Sequence, residues 1–256
     1  LESYRWPGNI RELINAIEDF QPISLQEMDE VKLLNRTDTK FVFTKSELAS
    51  LLKDSTNDYK VLTINNQRYS TYKTLYFDTP EHEFYLNHQK GKENRFKVRI
   101  RKYIESSLCF LEVKNKKKGR TLKKRIAISD FQTDLDKESC AFISQCLNEK
   151  KELYPSLWNS FSRITLVNQV LKERLTIDTD LTFEINGKSK NLPNLVIAEV
   201  KQERVSRNTP LVSKLKARQI RPTRMSKYCI GCVFLKEDLK YNSFKEKMLT
   251  INKLTA

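Results

Sequence analysis

Strict alternation of charged and apolar side chains is the dominant pattern along this chain. In Phe96-Lys97-Val98-Arg99-Ile100-Arg101-Lys102, extended backbone puts Lys97, Arg99 and Arg101 on one face and Phe96, Val98 and Ile100 on the other. The segment around Phe110-Leu111-Glu112-Val113-Lys114 sets Glu112 and Lys114 against Cys109, Leu111 and Val113, and Val196–Lys201 sets Glu199 and Lys201 against Val196, Ala198 and Val200. In Glu173–Leu181, Arg174, Thr176 and Asp178 oppose Leu175, Ile177 and Thr179. The pattern predicts strands over Arg36–Phe43 (Arg36, Asp38 and Lys40 on one face), Tyr69–Asp78, Arg95–Tyr103, Leu108–Asn115, Thr121–Ile128, Phe161–Val167, Glu173–Leu181 and Leu195–Lys201. Helices are predicted from Ser46, a capping residue, to Lys53, and over Glu81–His88, Asp130–Lys150, Asn208–Gln219 and Met225–Leu235. Lys114–Arg120 reads as a basic hairpin loop, and Gly187 and Pro193 bracket a turn. The reading is α+β: an antiparallel β-barrel tunnel of about eight strands with helices packed outside. It spans 21–235, after a short helical extension (1–20) and before a polar tail (236–256) expected to be a frayed helix or disordered.

With 256 residues the chain can bury a large core, and its 39% hydrophobic content and mean hydropathy of −0.60 fit a soluble globular protein. No apolar run is long enough to span a bilayer, and Leu1-Glu2-Ser3-Tyr4-Arg5 lacks a signal-peptide pattern, so a cytoplasmic location is expected. A net charge of +15 calls for an acidic partner: nucleic acid, a membrane surface or a phosphate chain. Nucleic acid would need outward basic residues among exposed aromatics. Here Phe41, Phe43, Phe96, Phe110 and Phe183 sit in strands, and Lys116–Lys118 is the best outward basic patch, a small one. The five cysteines show no disulfide spacing; Cys229-Ile230-Gly231-Cys232 lacks a partner pair or a nearby His and reads as buried free thiols. His82 and His88 share one short helix and are expected to be solvated.

Cations turned into a sheet's interior need counter-ions, because a buried charge without a partner is costly. A phosphate chain supplies them, meeting Arg with bidentate geometry and Lys with a point charge. Inward carboxylates would hold Mg²⁺ or Mn²⁺ together with phosphate oxygens, and Glu199 and Glu112 suit that role.

The segments Arg36–Phe41, Leu75–Pro80, Lys97–Arg101, Leu111–Lys114, Glu173–Asp178, Ala198–Lys201 and Met225–Tyr228 follow one another as they do in the VTC domain. Over about Phe20 to Leu235 the chain resembles that family, which belongs with the CYTH proteins to the triphosphate tunnel metalloenzymes. The resemblance implies an antiparallel tunnel with outer helices and a phosphotransferase making inorganic polyphosphate from ATP with Mn²⁺ or Mg²⁺. The alternatives are a triphosphatase or a non-catalytic polyphosphate binder. Carried over residue by residue, it implies phosphate contacts at Lys40, Arg99, Arg101, Lys114, Lys123, Arg125, Arg163, Arg174, Lys201, Arg224, Ser226 and Lys227. Of these, Arg99, Arg101, Arg163, Arg174 and Lys114 would be catalytic, with the metal on Glu199; Glu112 remains the second metal candidate from its inward phase. Partners would be ATP or another triphosphate and polyphosphate, with no nucleic acid and no membrane span. Asp178 is expected to order a neighbouring arginine, and Lys97 to sit at the tunnel's mouth. Two departures stand out: Arg224 replaces a lysine of the eukaryotic enzymes, and the ExExK strand of CYTH members is missing. Near the start, Trp6-Pro7-Gly8-Asn9-Ile10-Arg11-Glu12-Leu13 resembles a motif of sigma-54-dependent activators. Without a GxxxxGK[ST] loop it implies no such ATPase.

Overall fold

The computed structural model describes residues 9–30, 36–117 and 120–255. In chain order the elements are α1 (Asn9–Glu18), β1 (Gln21–Ile23), α2 (Leu25–Glu30), β2 (Thr37–Thr44), α3 (Lys45–Lys53), β3 (Lys60–Leu62), β4 (Ser70–Asp78), α4 (Glu83–Gln89), β5 (Arg95–Tyr103), β6 (Cys109–Lys117) and β7 (Arg120–Ile128). There follow α5 (Lys137–Leu147), β8 (Tyr154–Asn168), β9 (Glu173–Ile185), β10 (Lys188–Leu192), β11 (Leu195–Gln202), α6 (Pro210–Ala217), α7 (Lys227–Leu235) and α8 (Lys245–Thr255). Eight strands pair antiparallel in the order β2-β11-β9-β8-β4-β5-β6-β7 and curl into a half-barrel with helices packed around it. β2 and β7 are its edges. Across the gap their neighbourhoods still face one another, since Lys40 of β2 acts electrostatically on Lys116 of β6.

The alternation read from the sequence sorts the side chains onto two faces. On the outer face Phe41, Phe43, Ile164, Leu166, Leu175, Ile177, Val196, Ala198 and Val200 are buried beneath Leu48, Leu51 and Leu52 of α3, Leu211 and Leu215 of α6, and Ile17 of α1. Around the curl, Leu75, Phe77, Val98, Ile100, Leu111 and Val113 are covered by Phe84 of α4 and by Ile143 and Leu147 of α5. Each of the larger of these side chains contributes about 1.5–3 kcal/mol by leaving water, so these clusters hold the wall in shape. The inner face is divided. One part is charged; the other is apolar and filled by α7, whose Tyr228, Cys229, Ile230 and Cys232 pack on Leu157, Phe161, Leu181, Phe183 and Ile197. Gly231 makes this close seating possible, because a Cβ there would stand 2.5 Å from Leu157 and from Phe183.

Several expectations are corrected. The segment between Gly187 and Pro193 is strand β10, hydrogen-bonded to β9 through the Asn186-Gly187 turn, where φ is 48° and 76°. Lys114–Lys117 belong to β6 rather than to a loop; Lys118 and Gly119 lie outside the described residues. The predicted helix over Asp130–Lys150 is shorter, because Asp136 caps it by accepting from the Ser139 amide at 2.7 Å. The tail is neither frayed nor disordered: α8 buries Met248 and Ile251 against the core around α7. The helical extension packs on the core through Ile17, and the Arg68 guanidinium donates to the carbonyls of Ile17, Glu18 and Phe20. Leu1–Gly8 of the motif segment fall outside the described residues.

Candidate functional site

Two charged walls meet on the inner face. The first is β4–β7. Strand register sets Arg99 opposite Glu112, and Lys97 and Lys123 on either side of Lys114. Arg99 Nε and Nη2 donate to Glu112 Oε2 at 2.7 and 2.5 Å, while Lys123 Nζ donates to Oε1 at 3.1 Å. Burial opposes ionisation of Glu112, yet Arg99, Arg101 and Lys123 hold its carboxyl far below the usual range. Both its oxygens are engaged, and what it neutralises is Arg99 and Lys123. Lys97, Arg101 and Lys114 gain no carboxylate partner among the described residues. Arg101 donates from Nε to Thr74 Oγ1 at 3.2 Å, and its guanidinium lies 5.4 Å from the Tyr72 ring and 5.5 Å from Phe161. Arg99, burial and Arg101 drive the Lys114 ammonium well below its ordinary value. Burial pushes Lys97 down to about 8, with Lys40, Arg99 and Arg95 adding to it against an opposing contribution from Cys229. Lys97 is half-buried on β5, with Arg95 and Arg99 on the same face and α7 close by.

The second wall is β2, β11, β9 and β8. Register sets Glu199 opposite Lys40 on one side and Thr176 on the other. The Glu199 carboxylate lies 3.4 Å from Lys40 Nζ and 2.9 Å from Lys201 Nζ. Lys201 also donates to Thr176 Oγ1 at 2.8 Å, and Lys40 to the Met225 carbonyl at 3.2 Å. Despite burial, Lys201, Lys40 and Lys114 keep Glu199 well below the usual carboxylate range. The Arg163 guanidinium grips Asp178 with two bonds of 2.5 and 2.8 Å, and Lys227 at the start of α7 pairs with the same carboxylate. Asp178 therefore orders the neighbouring arginine as expected, and a lysine besides. Burial brings Lys227 down to about 8 against the pull of Asp178.

A shelf of two stacked rings joins the walls. Tyr72 and Phe161 lie 5.1 Å apart at 5°. Arg163 sits 4.9 Å from Tyr72, and Lys227 Nζ sits 4.5 Å from Phe161, on the same shelf that carries Arg101. Lys114 and Glu199 also act on one another across the cavity. The fold thus assembles Lys40, Arg99, Arg101, Lys114, Lys123, Arg163, Lys201, Lys227, Glu112 and Glu199 into one site.

Other predicted residues lie apart. Arg174 donates to the Met28 carbonyl at 3.3 Å near Arg36 and Asp29. Arg125 is exposed over the Phe110 ring at 4.3 Å, and Arg224 is exposed near Lys116. Ser226 is the α7 N-cap, its hydroxyl accepting from the Cys229 amide at 3.3 Å. His88, expected to be solvated, instead faces cations: burial, then Lys97, Arg95 and Lys116, push its imidazolium form far out of reach. The shelf rings, Thr74 and Tyr76, which pairs with Arg99 across β4 and β5, escaped the sequence reading. Their signal was present, since Tyr72, Thr74 and Tyr76 alternate in phase along β4 and pair with Tyr103, Arg101 and Arg99.

Among the described residues no three His, Cys, Asp or Glu side chains converge as a metal cage, and no helix is long and apolar enough to cross a membrane. No curated protein matches the chain. Among solved structures, HpAC1 from Hippeastrum, described by a dominant triphosphatase activity, is similar at 16% identity and TM-score 0.47, covering 80% of this chain and 100% of its own. The PH1819 protein from Pyrococcus horikoshii OT3 is similar at 11% identity and TM-score 0.45, covering 78% and 98%. A family match described as VTC domain covers residues 35–236, from the start of β2 to the end of α7. With most of its length matched, the chain belongs to the VTC domain family.

Proposed function

We propose that this chain is a metal-dependent phosphotransferase acting on triphosphate, with synthesis of inorganic polyphosphate from ATP as its reaction. One observation carries the reading: Lys97, Arg101 and Lys114 share an inner wall without carboxylate partners among the described residues, and Arg99, burial and Arg101 push the Lys114 ammonium well below its ordinary value. A triphosphate would relieve that repulsion, and the charge spread over a phosphoryl transition state would relieve it further. Arg101, Arg163 and Lys227, braced on the Tyr72–Phe161 shelf, would clamp the phosphates, with Arg99, Lys40, Lys123 and Lys201 around them. Arg174, Arg125, Arg224 and the Ser226 cap would serve the ends of the path.

Mn²⁺ or Mg²⁺ fits Glu199. Such an ion typically takes one or two carboxylates and completes its shell with phosphate oxygens and water, and Glu199 is ionised on the inner face with lysines that can turn to phosphate. Glu112, with both oxygens engaged, would serve the metal only by releasing Arg99 or Lys123. When bound, the ion would neutralise phosphate charge. The protein's share is to hold the chain in line and keep its oxygens out of water.

The second reading, hydrolysis, draws support from α7. A helix seated in the apolar part of the inner face shortens the passage a polymer would thread. Incubating the purified protein with ATP and Mn²⁺ and assaying polyphosphate and free phosphate separates the two: chains are expected, and orthophosphate alone would reject synthesis. Glu199→Gln is expected to abolish metal-dependent turnover while sparing anion binding; surviving turnover would overturn the metal assignment.

A further inference from the structure

The two residues that open α7 reach different buried carboxylates. Lys227 pairs with Asp178, which holds Arg163 on the phosphate side. Tyr228 turns the other way, and its hydroxyl donates to Asp78 Oδ2 at 2.5 Å. Asp78, 1% exposed, also accepts from the amides of Thr79 and Phe84 at Oδ1, both at 2.8 Å, and from the Tyr85 amide at Oδ2 at 2.9 Å. One carboxylate therefore ends β4, satisfies the first amides of α4 and anchors α7. Ser156 of β8 extends the tie, its hydroxyl lying 3.0 Å from the Tyr228 hydroxyl and accepting from Lys236 Nζ at 3.2 Å just beyond α7. With Gly231 lying directly on Leu157 and Phe183, α7 has a fixed height, and these polar ties fix its rotation and its position along its own axis.

Both Asp78 oxygens already accept two donors, so any effect on the reaction must pass through what Asp78 holds. We propose that Asp78 is a positioning residue: acting through the Tyr228 hydroxyl, it sets α7 so that Lys227 meets the phosphate face beside Asp178 and Arg163. The inference rests on the triphosphate reading for its ligand. The fold joins Leu75–Pro80 and Met225–Tyr228, segments that meet in a hydrogen bond between residues 150 apart.

Tyr228→Phe keeps the ring that packs 5.0 Å from Tyr76 and removes only the hydroxyl. Inorganic tripolyphosphate is titrated calorimetrically into the wild type, Tyr228→Phe, Lys227→Ala and the double variant. Losing one well-placed charged contact corresponds to about a tenfold weaker Kd, expected for each single variant, with the double variant no weaker than Lys227→Ala alone. Wild-type affinity in Tyr228→Phe, or the same tenfold loss repeated in the Lys227→Ala background, would overturn the positioning role while leaving the triphosphate reading intact. Failure of the wild type itself to bind tripolyphosphate would overturn both. Asp78→Asn, which keeps the shape of the anchor, is the second route should Tyr228→Phe not fold. The same weakening is expected, and wild-type affinity would again overturn the role.

Discussion

The two charged walls of the inner face solve the problem of buried charge in opposite ways. On β2, β11, β9 and β8, with Lys227 reaching in from α7, each cation of the site has a carboxylate: Lys40 and Lys201 share Glu199, and Arg163 and Lys227 share Asp178. On β4–β7, Glu112 takes up Arg99 and Lys123 and leaves Lys97, Arg101 and Lys114 without one among the described residues. The first wall is complete in the free protein. The second is the wall that, under the proposed function, a phosphate ligand would complete. The difference teaches where to look for binding energy: a neutralised cation must give up a partner to meet phosphate, whereas an uncompensated one gains on doing so.

That contrast can be broken from either side. The largest effect is expected in the balanced wall. Asp178→Asn strips the counter-charge from buried Arg163 and Lys227, and a broken buried pair costs about 3–5 kcal/mol. Denaturant unfolding should show a loss of that size, partly recovered with tripolyphosphate present. An unchanged midpoint would mean that these cations are already solvated. In the other wall the sign reverses. Lys114→Met replaces a cation crowded by Arg99 and Arg101 and is expected to raise stability by about 1–2 kcal/mol in the same assay; a loss would show that Lys114 is satisfied in the free protein.

The gentlest effect is a slope with pH. Lys97 and Lys227 hold their protons less firmly in the folded protein, at about 8 against an ordinary 10.5. Between those values the unfolded chain binds more protons, so stability should rise with pH across about 8 to 10.5, by no more than about 1.4 kcal/mol per unit for each group. Tripolyphosphate, by favouring the ammonium forms, should flatten the slope. A slope that persists unchanged with ligand would place both lysines away from it.

Much of this division was legible in the sequence because the strand period is two. Arg99 with Arg101, Glu112 with Lys114 and Glu199 with Lys201 must share a face wherever the strands pair, and burial of Val98, Leu111 and Ala198 decides which face turns inward. Which carboxylate neutralises which cation depends on register between strands distant in sequence, so the contrast between the walls stayed hidden. The seat of α7 was half legible. Tyr228-Cys229-Ile230-Gly231-Cys232-Val233-Phe234-Leu235 is apolar on every side, the mark of a buried helix, but nothing in it names the inner face as its site. β10 escaped because Lys188-Ser189-Lys190-Asn191 is polar, although the Asn186-Gly187 turn announced a hairpin. Arg174 shares the inward face of its strand and still serves the Met28 carbonyl, since phase along a strand says nothing of position along the cavity.

The central claim, that the β4–β7 wall awaits a phosphate chain, is tested most directly by calorimetric titration of tripolyphosphate at pH 8 in two buffers of different ionisation enthalpy. Binding with net proton uptake is expected for the wild type, with affinity falling about tenfold or more in Lys114→Met as a charged contact is lost. Equal affinity in the two proteins, or no proton uptake, would contradict it.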